Sequence, residues 1–105
     1  MAKQIIFTYK DTEYTLEFTR ASIQKLEARD FDITEVKSKP MTYLPLIFAG
    51  AFLAHHPYIK KELVDEIFDK FKDKAGLFDK LAEMYNEPIE AMLETEGNLE
   101  WKATW

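Results

Sequence analysis

The two histidines of this sequence, His55 and His56, are the first residues that could carry acid–base or metal chemistry. Adjacent side chains on a helix point in different directions, so the pair cannot hold one metal ion as histidines four residues apart do. The chain also has no cysteine that could complete a metal site. We therefore expect no metal or other cofactor, and interpret both histidines as polar residues that close a helix before Pro57.

Nucleophile and phosphate-binding patterns are missing from the sequence. Neither Ser22 nor Ser38 lies in a nucleophile-elbow pattern, and the three glycines do not form a phosphate-binding loop. Most carboxylates fall on faces predicted to be exposed, and acid–base catalysis would need one of them to be desolvated. The sequence therefore predicts a protein that is not an enzyme. The carboxylate groups considered are Glu62 with Asp65 and Glu66, and Glu94 with Glu96.

The composition describes one small acidic domain. With 105 residues, of which 47% are hydrophobic, the chain can form a single core, and without cysteine it forms no disulfide. A net charge of -5 disfavours a nucleic-acid partner, which needs a basic face. The acidic residues are interleaved with lysines, which also disfavours a nucleic-acid mimic. The first residues, Met1–Gln4, lack the basic and apolar regions of a secretion signal.

A segment without charged residues, Met41–His56, occupies the middle of the chain. It is shorter than the roughly 20 apolar residues of a membrane span, and Pro45 and Gly50 interrupt it. We interpret it as the buried central helix of the domain and expect no membrane partner. Thr42 is the predicted N-cap, Pro45 lies in the predicted first turn, and Pro57 ends the helix.

The N-terminal part predicts a β-hairpin. Lys3–Lys10 is rich in β-branched and aromatic residues, and Tyr14–Thr19 alternates between apolar and polar residues. A short polar loop at 11–13 joins them. Thr19 or Ser22 can cap a helix that runs to about residue 29, and a connector over 30–39 follows.

The C-terminal half predicts further helices. Residues 58–72 form the clearest amphipathic helix, with Ile59, Leu63, Ile67 and Phe71 every fourth residue. We predict that Gly76 ends this helix, and that Asn86 caps a new helix with Pro88 in its first turn. The predicted fold is α+β, mainly α: a hairpin at about 3–19 and four to five helices at about 20–95, packed around the central uncharged helix. Residues 1–98 would form one compact domain and 99–105 a tail.

The tail carries Trp101 and Trp105. Tryptophan is enriched at protein interfaces, so the tail could bind a partner or add as a strand to the hairpin edge. Alternatively, Trp101 folds back onto the core. Apolar residues of the central and amphipathic helices could likewise line a partner-binding groove, although packing in the core is the simpler interpretation for most of them. The candidate partner-binding residues are Phe48, Phe52, Leu63, Ile67, Phe71, Trp101 and Trp105.

The order of these segments resembles the small tail assembly chaperones of long-tailed phages and prophages of Gram-positive bacteria. The resemblance is carried by EFTRASIQKLEARDFDI and, after a short gap, MTYLPLIFAGAFLAHHP, and it covers roughly Phe7–Leu93. It implies a protein that binds the tape measure protein and keeps its apolar helices soluble until tail tube subunits polymerise around it. The family has no catalytic residues to carry over.

The resemblance also implies location and further partners. Such a protein works in the host cytoplasm and is absent from the mature virion, and the family often makes a longer form by ribosomal frameshifting. Contact with the major tail protein and self-association would be further expectations. Two alternatives stay open: a structural tail or head–tail connector protein of a phage, and a small acidic inhibitor protein.

Overall fold

The computed structural model describes residues 3–94 and 97–105. Its architecture is α+β and mainly α, as predicted: an antiparallel two-stranded hairpin is followed by four α-helices. The elements are β1 (Ile5–Tyr9), β2 (Thr12–Leu16), α1 (Arg20–Glu27), a 3-10 turn (Ile33–Glu35), α2 (Pro40–Gly50), α3 (Lys61–Lys70) and α4 (Lys74–Glu94).

The hairpin turn is tighter than the sequence predicted. Tyr9 pairs with Thr12, so only Lys10 and Asp11 form the loop, and both have positive φ values, 48° and 64°. Positive φ at both central residues is typical of the type I′ turn, which matches the twist of the strands. The prediction of a loop over 11–13 was therefore wrong, because Thr12 already belongs to β2.

The outer edge of β2 is hydrogen-bonded to the C-cap of α2 and to the segment that follows it. The Thr15 amide donates to His56 Nε2 at 3.1 Å, and the Glu17 amide donates to the Ala51 carbonyl oxygen at 3.0 Å. Two backbone donors that would otherwise face water are thus satisfied by the helical layer. These bonds fix the hairpin against the centre of the domain.

The start of α1 confirms the predicted N-cap at Thr19. Thr19 Oγ1 accepts from the Ser22 amide at 3.1 Å, and Ser22 Oγ accepts from the Thr19 amide at 2.9 Å. This reciprocal capping box uses serine where glutamate or glutamine is more usual. Both sequence candidates for the cap therefore act together.

The central helix α2 is only partly buried: Ile47, Phe48 and Gly50 lie in the core, whereas Met41 and Leu46 are exposed. Its boundaries also differ from the prediction. It begins at Pro40, whose missing amide hydrogen is not needed in a first turn, and not after Thr42. Pro45 consequently lies inside the helix, where it offers no amide hydrogen to the Met41 carbonyl group. The helix ends at Gly50, and turns continue the chain to residue 55.

Gly50 allows α1 and α2 to approach closely. A Cβ atom at this position would lie 2.5 Å from Leu26 Cδ1, which is closer than carbon atoms can pack. Leu26 and the other buried side chains of both helices form one continuous core with the inner face of β2. The fully buried large side chains are Leu16, Ile47, Phe48, Phe52, Ile67 and Leu81.

The C-terminal half contains one long helix where the sequence predicted two. The chain reverses at Asp73, which has φ of 52°, and Asp73 Oδ1 accepts from the Gly76 amide at 3.1 Å to cap α4. Gly76 is therefore inside the helix and does not end α3. Asn86 starts no new helix either, because Pro88 lies within the continuous α4. These two predicted breaks were wrong.

Packing explains why α4 continues through Pro88. The proline removes a single hydrogen bond, to the Met84 carbonyl oxygen, whereas Leu81, Met84 and Tyr85 are buried on the body of the domain. That burial holds the helix together across the missing bond. Among the residues that the structure describes, none of the helices combines the length and apolar character that crossing a membrane requires.

Candidate functional site

Three of the predicted partner-binding residues lie inside the core. Phe48 and Phe52 have no exposed surface and Ile67 has only 1%. The Phe48 and Phe52 rings pack edge to face at a centroid distance of 5.2 Å. A partner could reach these side chains only if the core opened, so the structure gives them a packing role.

The remaining predicted residues reach the surface to different degrees. Leu63 and Phe71 are half-buried and pack against the core. Trp101 is 84% exposed and Trp105 is fully exposed, so the tail does not fold back onto the core. Of the two placements considered for Trp101, the structure shows the exposed one.

A concave apolar surface that the sequence did not reveal lies between α1, α2 and the start of α3. We call it the apolar groove, and its volume is about 290 Å³. Its lining is mainly apolar, and its floor is made of core side chains. The lining residues are Leu26, Arg29, Phe31, Leu46, Ala49, Gly50, Leu53, Pro57, Ile59, Lys61 and Val64.

The wall of the apolar groove is partly open to solvent. Leu46, on the face of α2 that is turned from the core, is 39% exposed, and Leu53 and Ile59 are half-buried. Two cations stand at the rim. Lys61 pairs with Asp65 at 3.0 Å, whereas Arg29 forms no ion pair with any residue that the structure describes. The groove can therefore accept an apolar segment that carries an acidic side chain.

The sequence contained a signal for this groove. Because α2 is apolar around much of its circumference, one face could pack in the core while another remained available. Phe48 and Phe52, the partner-binding candidates predicted from the uncharged helix, lie in the core instead. Leu46 was not among the candidates because periodicity alone does not tell which apolar face is covered.

A second, smaller concavity lies beside the free edge of β1. We call it the edge cleft; it has a volume of about 210 Å³ and separates β1 from the C-terminal end of α3. It brings Ile67 and Phe71 together with Phe7, whose ring lies 4.9 Å from that of Phe71. The lining residues are Phe7, Thr8, Tyr9, Ile67, Lys70, Phe71 and Lys72.

Both histidine side chains form hydrogen bonds with residues at the end of the hairpin. His56 Nε2 accepts the Thr15 amide, and burial, with a smaller contribution from His55, lowers the pKa of His56. His55 Nε2 lies 2.6 Å from Glu17 Oε1, and this hydrogen bond, together with one from Gln4, lowers the pKa of Glu17. The histidines were predicted to close a helix before Pro57, which was wrong, because α2 ends at Gly50 and both histidines lie beyond it. They have structural partners in Thr15 and Glu17.

The carboxylates with partners form ion pairs and hydrogen bonds at the surface. Glu66 accepts the Tyr9 hydroxyl and lies 3.0 Å from Lys10 Nζ, and these two contacts lower the pKa of Glu66. In the described part of the chain, no three acidic or histidine side chains are grouped in a way that could hold a metal ion. Glu96 and the side chain of Glu94 lie outside the described residues.

Comparison with known protein families gives a match over the whole chain. A family profile described as "Domain of unknown function (DUF5055)" matches residues 1–105. No curated protein and no solved structure matches the chain.

Proposed function

We propose that this chain, which belongs to the family described as Domain of unknown function (DUF5055), is a phage tail assembly chaperone. In this proposal it catalyses no reaction and binds the tape measure protein, keeping the apolar helices of that client soluble during tail assembly. The resemblance of its segments to tail assembly chaperones supports the proposal. The apolar groove is the observation that carries it.

The groove suits one face of an amphipathic helix. Recognition of this kind uses apolar anchors about one helical turn apart, which enter a preformed hydrophobic groove. Leu46, Leu53 and Ile59 are the apolar side chains that a client helix would cover. Arg29 at the rim would pair with an acidic residue beside those anchors and would set the direction of the helix.

The charge of the chain supports the same role. A net charge of -5 keeps a complex with an apolar client in solution through mutual repulsion between complexes. The protein would act in the host cytoplasm, release its client when the tail tube forms, and be absent from the mature virion. The major tail protein would be a second partner at that step.

Co-expression with the tape measure protein of the same genome tests the proposal. We expect the client to remain soluble and to co-purify with the chain. Leu46→Glu places a charge in the apolar groove and should reduce the co-purified client at least tenfold. Met41→Glu is the matched control, because Met41 lies on the same helix, is 90% exposed and does not line the groove.

Three outcomes would count against this function. A client that stays insoluble and does not co-purify would refute the chaperone role. Full binding by a folded Leu46→Glu variant, with far-UV circular dichroism unchanged, would move the contact away from the groove. Detection of the chain in purified virions would favour a structural tail component instead.

A further inference from the structure

The tail has the sequence pattern of a β-strand. Leu99, Trp101, Ala103 and Trp105 alternate with the polar residues Glu100, Lys102 and Thr104. Strict alternation places the apolar side chains on one face of an extended segment. Such a segment needs a neighbouring strand, since an isolated strand leaves its backbone groups and its apolar face in water.

Among the residues that the structure describes, the tail pairs with no strand. Leu99, Trp101 and Trp105 are all strongly exposed, and so are Met92 and Leu93 at the end of α4. The radius of gyration is 15.8 Å, with a longest extent of 57 Å, whereas a compact chain of this length would have about 13 Å. The end of α4 and the tail therefore form an arm that leaves the body of the domain.

The hairpin offers a free backbone edge. The Thr15 and Glu17 amides point away from β1, because they donate to His56 and Ala51. In an antiparallel pair, the residue opposite Thr15 also directs its backbone groups outward, and that residue is Ile6. Thr8, two residues further along, shares this orientation. Among the described residues, the outward amides of Ile6 and Thr8 have no hydrogen-bond partner.

The apolar side chains of β1 are incompletely covered in the same region. Ile5, Phe7 and Tyr9 are only half-buried, whereas their counterparts Tyr14 and Leu16 on β2 are buried. The edge cleft beside Phe7 has a volume of about 210 Å³, which is below the roughly 300 Å³ of the smallest typical small-molecule pockets. One large side chain on an added strand suits this space better than a free ligand.

We propose that residues 99–105 of one copy of this chain add to β1 of a second copy as a third strand. The face with Trp101 turns toward Phe7, and one of the two indole rings enters the edge cleft. The second tail does the same in return, giving a two-fold symmetric dimer by exchange of arms. Each hairpin thereby becomes a three-stranded sheet, which is more stable than an isolated pair of strands.

The dimer does not depend on the proposed function, because it uses the β1 edge and the apolar groove lies elsewhere. Size-exclusion chromatography with light scattering tests it on the full chain. We expect a mass of twice 12.4 kDa at micromolar concentration, and two differently tagged copies should co-purify. Trp101→Asp should raise the dimer dissociation constant at least tenfold. Thr104→Asp, the same charge on the opposite face, should leave it unchanged.

A second pair of variants tests the strand edge. Thr8→Pro removes an outward amide without removing a bond to β2, so it should produce a monomer with the melting temperature of the monomeric Trp101→Asp variant. Thr8→Val retains the amide and should remain dimeric. A monomeric wild-type chain would overturn the proposal, as would a dimer that survives Trp101→Asp and Thr8→Pro. Tagged copies that do not co-purify would overturn it as well.

Discussion

The imidazole of His56 lies between β2 and the turns that follow α2, where Nε2 accepts the Thr15 amide. It can accept this hydrogen only while that nitrogen is unprotonated, so the bond requires the neutral ring. Burial lowers the pKa of His56 in the folded chain below its ordinary value of 6.5. In the sequence His56 was a candidate for acid–base or metal chemistry. In the structure its side chain links the hairpin to the segment after α2.

Replacement of His56 by glutamine should change how stability depends on pH. Because the folded pKa is below the unfolded one, the stabilisation by His56 is complete above about pH 6.5 and is lost as the pH falls through that value toward the folded pKa. We expect His56→Gln to lower the free energy of unfolding by about 1 kcal/mol at pH 7. The decrease of that free energy between pH 7 and pH 5 should be smaller than in the wild-type chain. Urea unfolding across this range measures both effects.

His55→Gln is the control for this experiment. It leaves the bond between Thr15 and His56 in place, so most of the decline with falling pH should persist. If His56→Gln retained the same pH dependence as the wild-type chain, protonation of His56 would not be what destabilises the protein in acid.

At the scale of elements, α4 shows how packing overrides local breaking signals. Gly76 and Pro88 each predict a helix boundary, yet both lie inside one helix of 21 residues. Gly76 was predicted to cap the C-terminus of α3, but Asp73 caps the N-terminus of α4 three residues before it. The buried residues around Met84 hold the helix together across the proline. A glycine or proline therefore ends a helix only where tertiary contacts do not stabilise its continuation.

Substitution of Pro88 by alanine should stabilise α4. Alanine provides the amide hydrogen that the Met84 carbonyl oxygen lacks, and it removes the clash of the proline ring with that turn. We expect a gain of roughly 1–3 kcal/mol, with increased helical signal in far-UV circular dichroism. The measurement is thermal unfolding of the wild-type and Pro88→Ala chains.

Two observations would contradict a continuous helix. One is an unchanged melting temperature in the Pro88→Ala variant, and the other is a loss of stability. Either result would indicate that the helix ends before Pro88 and that the proline serves the first turn of a separate element. Asn86→Ala provides the control, because a residue inside a helix tolerates alanine whereas an N-cap loses about 1 kcal/mol.

At the scale of the whole molecule, the chain consists of a packed body and an exposed arm. The core extends from Tyr14 to Tyr85, and the strongly exposed large apolar residues include Met92, Leu93 and the three at the end of the chain. The apolar groove and the edge cleft lie on the body, whereas Trp101 and Trp105 lie on the arm. Deletion of the arm should therefore weaken association without lowering the stability of the body.

Truncation after Glu96 should leave the body intact. At a concentration where the full chain is monomeric, we expect the free energy of unfolding to change by less than about 0.5 kcal/mol, as for surface changes in general. That corresponds to a few degrees in melting temperature for a domain of this size. A much larger loss would mean that Trp101 packs in the core in solution.

The sequence determined the features that depend on neighbouring residues. Alternation of Tyr14, Leu16 and Phe18 predicted the buried face of the hairpin, and the Thr19 and Ser22 pair predicted the start of α1. The missing charges of Met41–His56 predicted a central helix, and Ile47 and Phe48 of α2 are buried in the core. Each of these signals acts within a few residues, so it is complete in the sequence itself.

Only the tertiary structure decided which apolar surfaces are covered. Phe52 and Leu46 have similar apolar character and lie in the same segment, but Phe52 meets Tyr14 and Phe48 whereas Leu46 opens into a groove. The edge of β1 is open, whereas His56 and Ala51 occupy the edge of β2. Burial depends on contacts between residues far apart in the chain, and a local sequence pattern does not specify those contacts.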